Sequence, residues 1–186
     1  MNKVIVITGT PGVGKTTISK MLSKRLVGSR LYDANSIAKN HKLYLGKDKF
    51  GSKIVKIKGL EREIGKIVKS NRRHTLIFEG HLLCDIKVPG AVAIVLREHL
   101  ETIRKRLIER RYPTEKIRDN VVSEAIDYCG ASAQKNYAKT YELMSGKNSI
   151  TAMVQIANGK FKRKNRQIDL LHELLHVIKK EREFAL

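Results

Sequence analysis

The chain is poor in cysteine, in acid and in long apolar runs. Two cysteines occur among its 186 residues, Cys84 and Cys129, and neither belongs to a C-x-x-C pair. That argues against a disulfide framework or a structural zinc site and fits a reducing compartment. No apolar stretch approaches the ~20 residues that span a bilayer. The run Val4 to Ile7 is also too short for a secretory signal. No membrane contact is expected, and the expected location is cytoplasmic, or nuclear if the cell has a nucleus. Neither an internal repeat nor a low-complexity linker is visible, so one domain over residues 1–186 is expected. Acidic residues number 18 against 38 Lys+Arg, a formal net charge of +20. The imbalance fits a solvated basic surface or a polyanion partner such as RNA or a ribonucleoprotein, and both readings stand at this point. Hydrophobic residues, at 41%, are too many for a disordered chain and enough for a sizeable core.

Strand and helix patterns alternate along the sequence. Short β-branched runs predict strands at Val4–Thr8, Arg30–Asp33, Thr75–Phe78, Ala91–Leu96 and Met153–Ile156. Helical spacing predicts helices over Lys15–Leu26, Asn35–Asn40, Leu60–Val68, Glu98–Arg110, a long stretch from Thr114 to about Met144, and Ile168–Ile178. Residues 41–58 show little periodicity and read as mostly loop. The pattern implies an α/β fold, three layers with a five-stranded, mainly parallel sheet between helices.

The first strand runs into Gly9-Thr-Pro-Gly-Val-Gly14-Lys15-Thr16, a full G-x-x-x-x-G-K-[ST] motif. Its glycines leave backbone N–H groups free to face phosphate oxygens, and the helix that follows points its positive end at the same place. Lys15 is expected to reach the β- and γ-phosphates of ATP, and the Thr16 hydroxyl to join a magnesium shell. No G-x-G-x-x-G is present, so a dinucleotide fold is not indicated.

A second motif, His172-Glu-Leu-Leu-His176, has H-E-x-x-H zinc spacing. No third histidine follows at the metzincin distance, and a helical wheel places Ile168, Leu171, Leu175 and Ile178 on the buried stripe, away from both histidines. A coincidental surface pair is therefore expected.

Phosphoryl transfer also needs a carboxylate at the end of a neighbouring strand to hold the magnesium. Glu79 ends the strand TLIFE, with His81 two residues on. Arg106, Arg110 and Arg111 gather before a Tyr-Pro breaker; they form either a solvated face or a lid over the transferring phosphoryl group.

Taken in order, GTPGVGKTT, Glu79-Gly-His81 and RLIERRYPTEKIRDNV resemble the adenylate kinase isoenzyme 6 family, over roughly Val4 to Tyr128. Its members are nucleoside monophosphate kinase-like P-loop ATPases linked to assembly of the small ribosomal subunit. The resemblance implies ATP binding by Gly12, Gly14, Lys15, Thr16 and Thr17, with Arg110 (and Arg106 near it) as the lid contact. It implies Glu79 and His81 as the acid and histidine of the ATPase site, with Thr16 and Glu79 toward magnesium. It further implies AMP or another nucleoside monophosphate as acceptor, with a small-subunit ribosomal protein and pre-ribosomal rRNA as partners. The acceptor region would lie at about 30–53 and the lid at about 109–119. Two departures stand out. Glu79 replaces the family's usual aspartate, and the Asp-Gly-Phe-Pro-Arg segment of ordinary adenylate kinases is absent. A P-loop small-molecule kinase of shikimate or gluconate type is the alternative.

Overall fold

β-branched residues at the start of the chain build the middle of a sheet. The computed structural model describes residues 3–162 and 167–183. Its elements are β1 (Val4–Thr8), α1 (Lys15–Arg25), β2 (Arg30–Asp33), α2 (Ala34–Asn40), β3 (Tyr44–Lys47), β4 (Lys53–Val55), α3 (Ile57–Ser70) and β5 (Leu76–Glu79). A short 3-10 helix (His81–Asp85) leads to β6 (Ala91–Arg97), α4 (Leu100–Glu109), α5 (Thr114–Ala125), α6 (Tyr128–Asn136), β7 (Thr140–Met144), α7 (Lys147–Ala157) and α8 (Leu171–Glu183).

The main sheet has strand order β2-β5-β1-β6-β7, and every pairing in it is parallel. Because side chains alternate along a strand, each strand feeds two cores. Val4, Val6, Leu76, Phe78, Ala93 and Val95 pack against α2, α3 and α6. Ile5, Ile7, Ile77, Ile94 and Leu96 face α1, α4, α5 and α7 on the opposite side. Burial on both faces explains why β1, β5 and β6 are near-continuous apolar runs. This is the three-layer α/β/α P-loop fold, with five parallel strands.

Three local expectations are corrected. Residues 41–58 contain a hairpin, β3–β4, in which Tyr44 pairs with Val55 and Lys47 with Lys53. Its turn is closed by Asp48, whose carboxylate accepts from Phe50 N (2.8 Å) and Ser52 N (2.7 Å). Its strands, YLGK and KIV, are too short to show an alternation in the sequence. The stretch 114–144 is not one helix but α5, α6 and the edge strand β7. It breaks where Asp127, at φ 56, caps α6 by accepting from Gly130 N (3.1 Å). The fifth strand is therefore Thr140–Met144, and Met153–Ile156 lies inside α7. There Ile150, Met153, Ile156 and Ala157 are buried at helical spacing, which outweighs the β-branched composition.

A buried charge cluster ties the later elements to the sheet. Arg97, 1% exposed at the end of β6, bonds Glu124 (2.9 Å), Asp127 (2.7 Å), Glu142 (3.3 Å) and the carbonyl of Ile168 (3.1 Å). Removing the guanidinium would leave three carboxylates without their shared cation, a change that costs about 3–5 kcal/mol in comparable buried pairs.

Candidate functional site

The loop between β1 and α1 turns on three glycines with positive φ: Gly9 (135°), Gly12 (99°) and Gly14 (95°). Gly9 has a second reason to lack a side chain, since a Cβ there would lie 2.4 Å from the carbonyl oxygen of Leu96. Gly14 is the N-cap of α1, and neither a capping side chain nor a first-turn acid neutralises the helix end. Such an end favours an anion.

Lys15 folds back over this loop, its Nζ donating to the carbonyls of Gly9 (2.8 Å) and Thr10 (3.0 Å). Burial lowers its pKa, which nearby Cys129 and Glu79 oppose. Thr16 Oγ1 donates to Glu79 Oε1 at 2.9 Å. Parallel pairing sets this contact, because Glu79 ends β5 in register with Ile7 of β1 and Asp33 of β2. Burial raises the Glu79 pKa, and the Thr16 hydrogen bond pulls the other way. His81 opens the 3-10 helix half-buried; burial first, then the Lys15 ammonium, press its pKa down to about 4. Its imidazole is therefore neutral at pH 7.

These groups share one cavity of about 850 Å³, lined among others by Gly12, Gly14, Lys15, Thr16, Thr17, Glu79, His81 and Arg110. Arg110 caps the C-terminal end of α4 and is exposed there. Arg106 sits behind the loop instead: its NH1 donates to Gly12 O (2.8 Å) and pairs with Glu98 (3.0 Å). Arg111, at φ 57, turns the chain toward α5.

The cavity is also lined by Asp33, beside Glu79, and by Tyr44, Lys53, Val55, Asp85, Lys116 and Tyr128, for none of which the sequence indicates an individual role. Asp33 also caps α2, accepting from Asn35 N (3.0 Å) and Ser36 N (3.3 Å). The tip of the β3–β4 hairpin touches the first turn of α5. Lys49 pairs with Glu115 (3.1 Å), and Lys116 bonds the Ser52 hydroxyl and faces the rings of Tyr112 and Phe50 at 5.3 and 5.8 Å. Lys116 carried no signal in the sequence, being one cation among 38.

The H-E-x-x-H segment begins α8, and both of its histidines are exposed. Glu173 is occupied elsewhere: it bonds His99 Nδ1 (2.7 Å) and accepts from Leu100 N (2.9 Å), capping α4. Among the described residues no cluster of three metal-binding side chains occurs. The expected buried stripe was misplaced, however. Leu171 and Leu175 are 53% and 70% exposed, while Leu170 and Val177 are the buried positions. Of the basic run Lys160–Arg166, residues 163–166 lie outside the described residues. No helix among the described residues is long and apolar enough to cross a membrane.

Fold and loop together define a P-loop enzyme that uses ATP. A family model described as "AAA domain" matches residues 5–127. The chain is 36% identical to a "Putative adenylate kinase" of Methanocaldococcus jannaschii over 81% of each chain. It is 33% identical to the protein of the same name in Pyrococcus furiosus, over 83% of this chain and 82% of the relative. Two solved structures share the fold. A sugar kinase from Janibacter sp. matches with TM-score 0.59 and 13% identity, over 90% of this chain and 100% of that one. Shikimate kinase from Acinetobacter baumannii matches with TM-score 0.56 and 13% identity, over 88% and 97%. The chain belongs to the AAA-domain P-loop family and, within it, to the adenylate-kinase-like kinases that those archaeal relatives represent. It is a kinase of the kind that acts on nucleoside monophosphates or other small molecules.

Proposed function

We propose that the protein transfers the γ-phosphoryl group of ATP to a nucleoside monophosphate, with AMP as acceptor and two ADP as products, and hydrolyses ATP as a side reaction. The observation that carries this reading is the shared cavity. Residues of the phosphate loop, of the β3–β4 hairpin and of the arginine-bearing end of α4 line it together. In this scheme the chain is one P-loop kinase domain with an acceptor region near 30–53 and a lid near 109–119.

The loop amides from Gly12 to Thr17 and the Lys15 ammonium hold the β- and γ-phosphates, and Lys15 must exchange the Gly9 and Thr10 carbonyls for phosphate oxygens to do so. Arg110 swings over the transferring group, and Arg106 supports it from behind the loop. The oxygen donors Thr16 and Glu79 suit a hard divalent cation. Magnesium held there would offset the negative charge of the phosphates. Transfer to a phosphate acceptor needs no general base, because the attacking oxygen is already anionic. Water is a poorer nucleophile and must be oriented, and the neutral imidazole of His81, which lines the cavity, would do that.

The net charge of +20 supports the further proposal that the protein acts in small-subunit ribosome maturation, touching pre-ribosomal rRNA and a small-subunit ribosomal protein. One observation favours the rival small-molecule kinase. Asp33 and Asp85 line the cavity, and carboxylates suit hydroxyl groups better than a second phosphate. ADP release measured with AMP, other monophosphates, shikimate and gluconate separates the two. Acceleration by AMP supports the first, and acceleration only by a hydroxylated acceptor overturns it.

A further inference from the structure

A loop built on three positive-φ glycines has little conformational preference of its own, so its shape must be imposed from outside. Three fastenings do this. Val13 is fully buried in the core. Gly12 O accepts from Arg106, which Glu98 holds in turn. The third fastening is Thr10, 2% exposed, whose hydroxyl donates to Glu124 Oε2 at 2.5 Å.

Glu124 lies on α5, the helix whose first turn meets the hairpin, and is 1% exposed. Its other oxygen accepts from Arg97 Nε (2.9 Å) and Glu98 N (3.1 Å), while Arg97 NH2 donates to its backbone carbonyl (2.7 Å). The carboxylate is thus fixed on both oxygens, and a charge-assisted O–H···O bond shielded from water is among the stronger neutral-to-ion contacts a loop can have. Thr10 also carries the carbonyl on which Lys15 rests. Moving Thr10 therefore moves both the loop amides and the resting place of the lysine.

We propose that Glu124 is a positioning residue for ATP: held by Arg97, its carboxylate pins Thr10 and so keeps the phosphate loop in its binding shape. The inference rests on the loop being the ATP site. It also makes α5 a two-ended element, with the lid at one end and the loop fastening at the other.

The test is calorimetric binding of MgATP to the full chain, with melting temperatures measured alongside. Thr10→Val removes the hydroxyl while keeping the side chain's shape, Thr10→Ala removes both, and Thr10→Ser keeps the hydroxyl. Either of the first two should weaken MgATP binding about tenfold, the size expected for one lost hydrogen bond to a charged group. Thr10→Ser should bind within about twofold of the parent. Combining Thr10→Ala with Glu124→Gln should weaken binding no further than the stronger single change, because the two residues act as one couple. In turnover, the KM for ATP should rise with kcat little changed. A Thr10→Ala protein that melts lower yet binds MgATP as the parent does would overturn the inference and leave Glu124 a packing residue; so would additive losses. Binding of MgATP requires no acceptor. A parent chain that binds MgATP but fails to phosphorylate AMP would count against the proposed reaction alone.

Discussion

The two walls of the cavity are built in different ways. On the phosphate-loop side, contacts are short and redundant: Thr10 to Glu124 and Glu124 to Arg97 are buried, and Gly12 to Arg106 and Thr16 to Glu79 are partly so. On the acceptor side, the hairpin meets the lid through an exposed pair, Lys49–Glu115, with both side chains about 70% exposed, and through Lys116 against a serine and two rings. Exposed ion pairs add little stability and are screened by salt, whereas buried networks hold one geometry. On the proposed reading the first wall would present a fixed site to phosphates, and the second, held more weakly, would open for substrate entry and product release.

The largest effect should come from the rigid wall. Lys15→Ala should lower both AMP phosphorylation and ATP hydrolysis by at least about a thousandfold in steady-state assays, since the charge it supplies has no substitute in the loop. Glu79→Gln should follow, with kcat down about a hundredfold at saturating magnesium, measured by coupled ADP formation. His81→Ala divides the two reactions, lowering hydrolysis about tenfold and AMP phosphorylation much less; equal losses would remove its water-orienting role.

His81 also sets a pH dependence. Its folded pKa of about 4 lies below the unfolded value of 6.5, so between those values the unfolded chain binds more protons. The stability that neutral His81 contributes is complete above pH 6.5 and is lost as pH falls toward 4, by up to about 3 kcal/mol. Chemical denaturation from pH 7.5 to 4.5 should show that decline, and it should be shallower in His81→Asn. The smallest effect belongs to the weak wall. Lys49→Ala should leave MgATP affinity and melting temperature almost unchanged and alter the acceptor KM by less than about threefold. A loss of stability as large as that caused by breaking the Arg97 cluster would collapse the contrast between the walls.

The sequence revealed the rigid wall far better than the weak one, and the reason is physical. A phosphate loop and its flanking strands are encoded locally, by glycines at fixed offsets and apolar runs, and Glu79 is found by its place at a strand end. Arg97 and Glu124 gave no such signal: they are 27 residues apart, and a buried ion pair looks in sequence like two more surface charges. The hairpin was hidden because its strands, YLGK and KIV, are too short to show an alternation. The strand β7 was missed because an edge strand draws its stability from pairing with β6 rather than from its own composition. The zinc-like motif has both histidines on an exposed helix face. What explains it is the capping of α4 by Glu173, a contact across 73 residues that no local pattern shows.

The most direct test of the account is ADP formation from MgATP by the purified chain, with and without AMP. The account predicts slow hydrolysis without AMP, yielding ADP and phosphate, and faster ADP formation with AMP, in which each ATP transferred gives two ADP and releases no phosphate, with both activities lost in Lys15→Ala. A rate indifferent to AMP, or one raised only by a hydroxylated non-nucleotide acceptor, would contradict it.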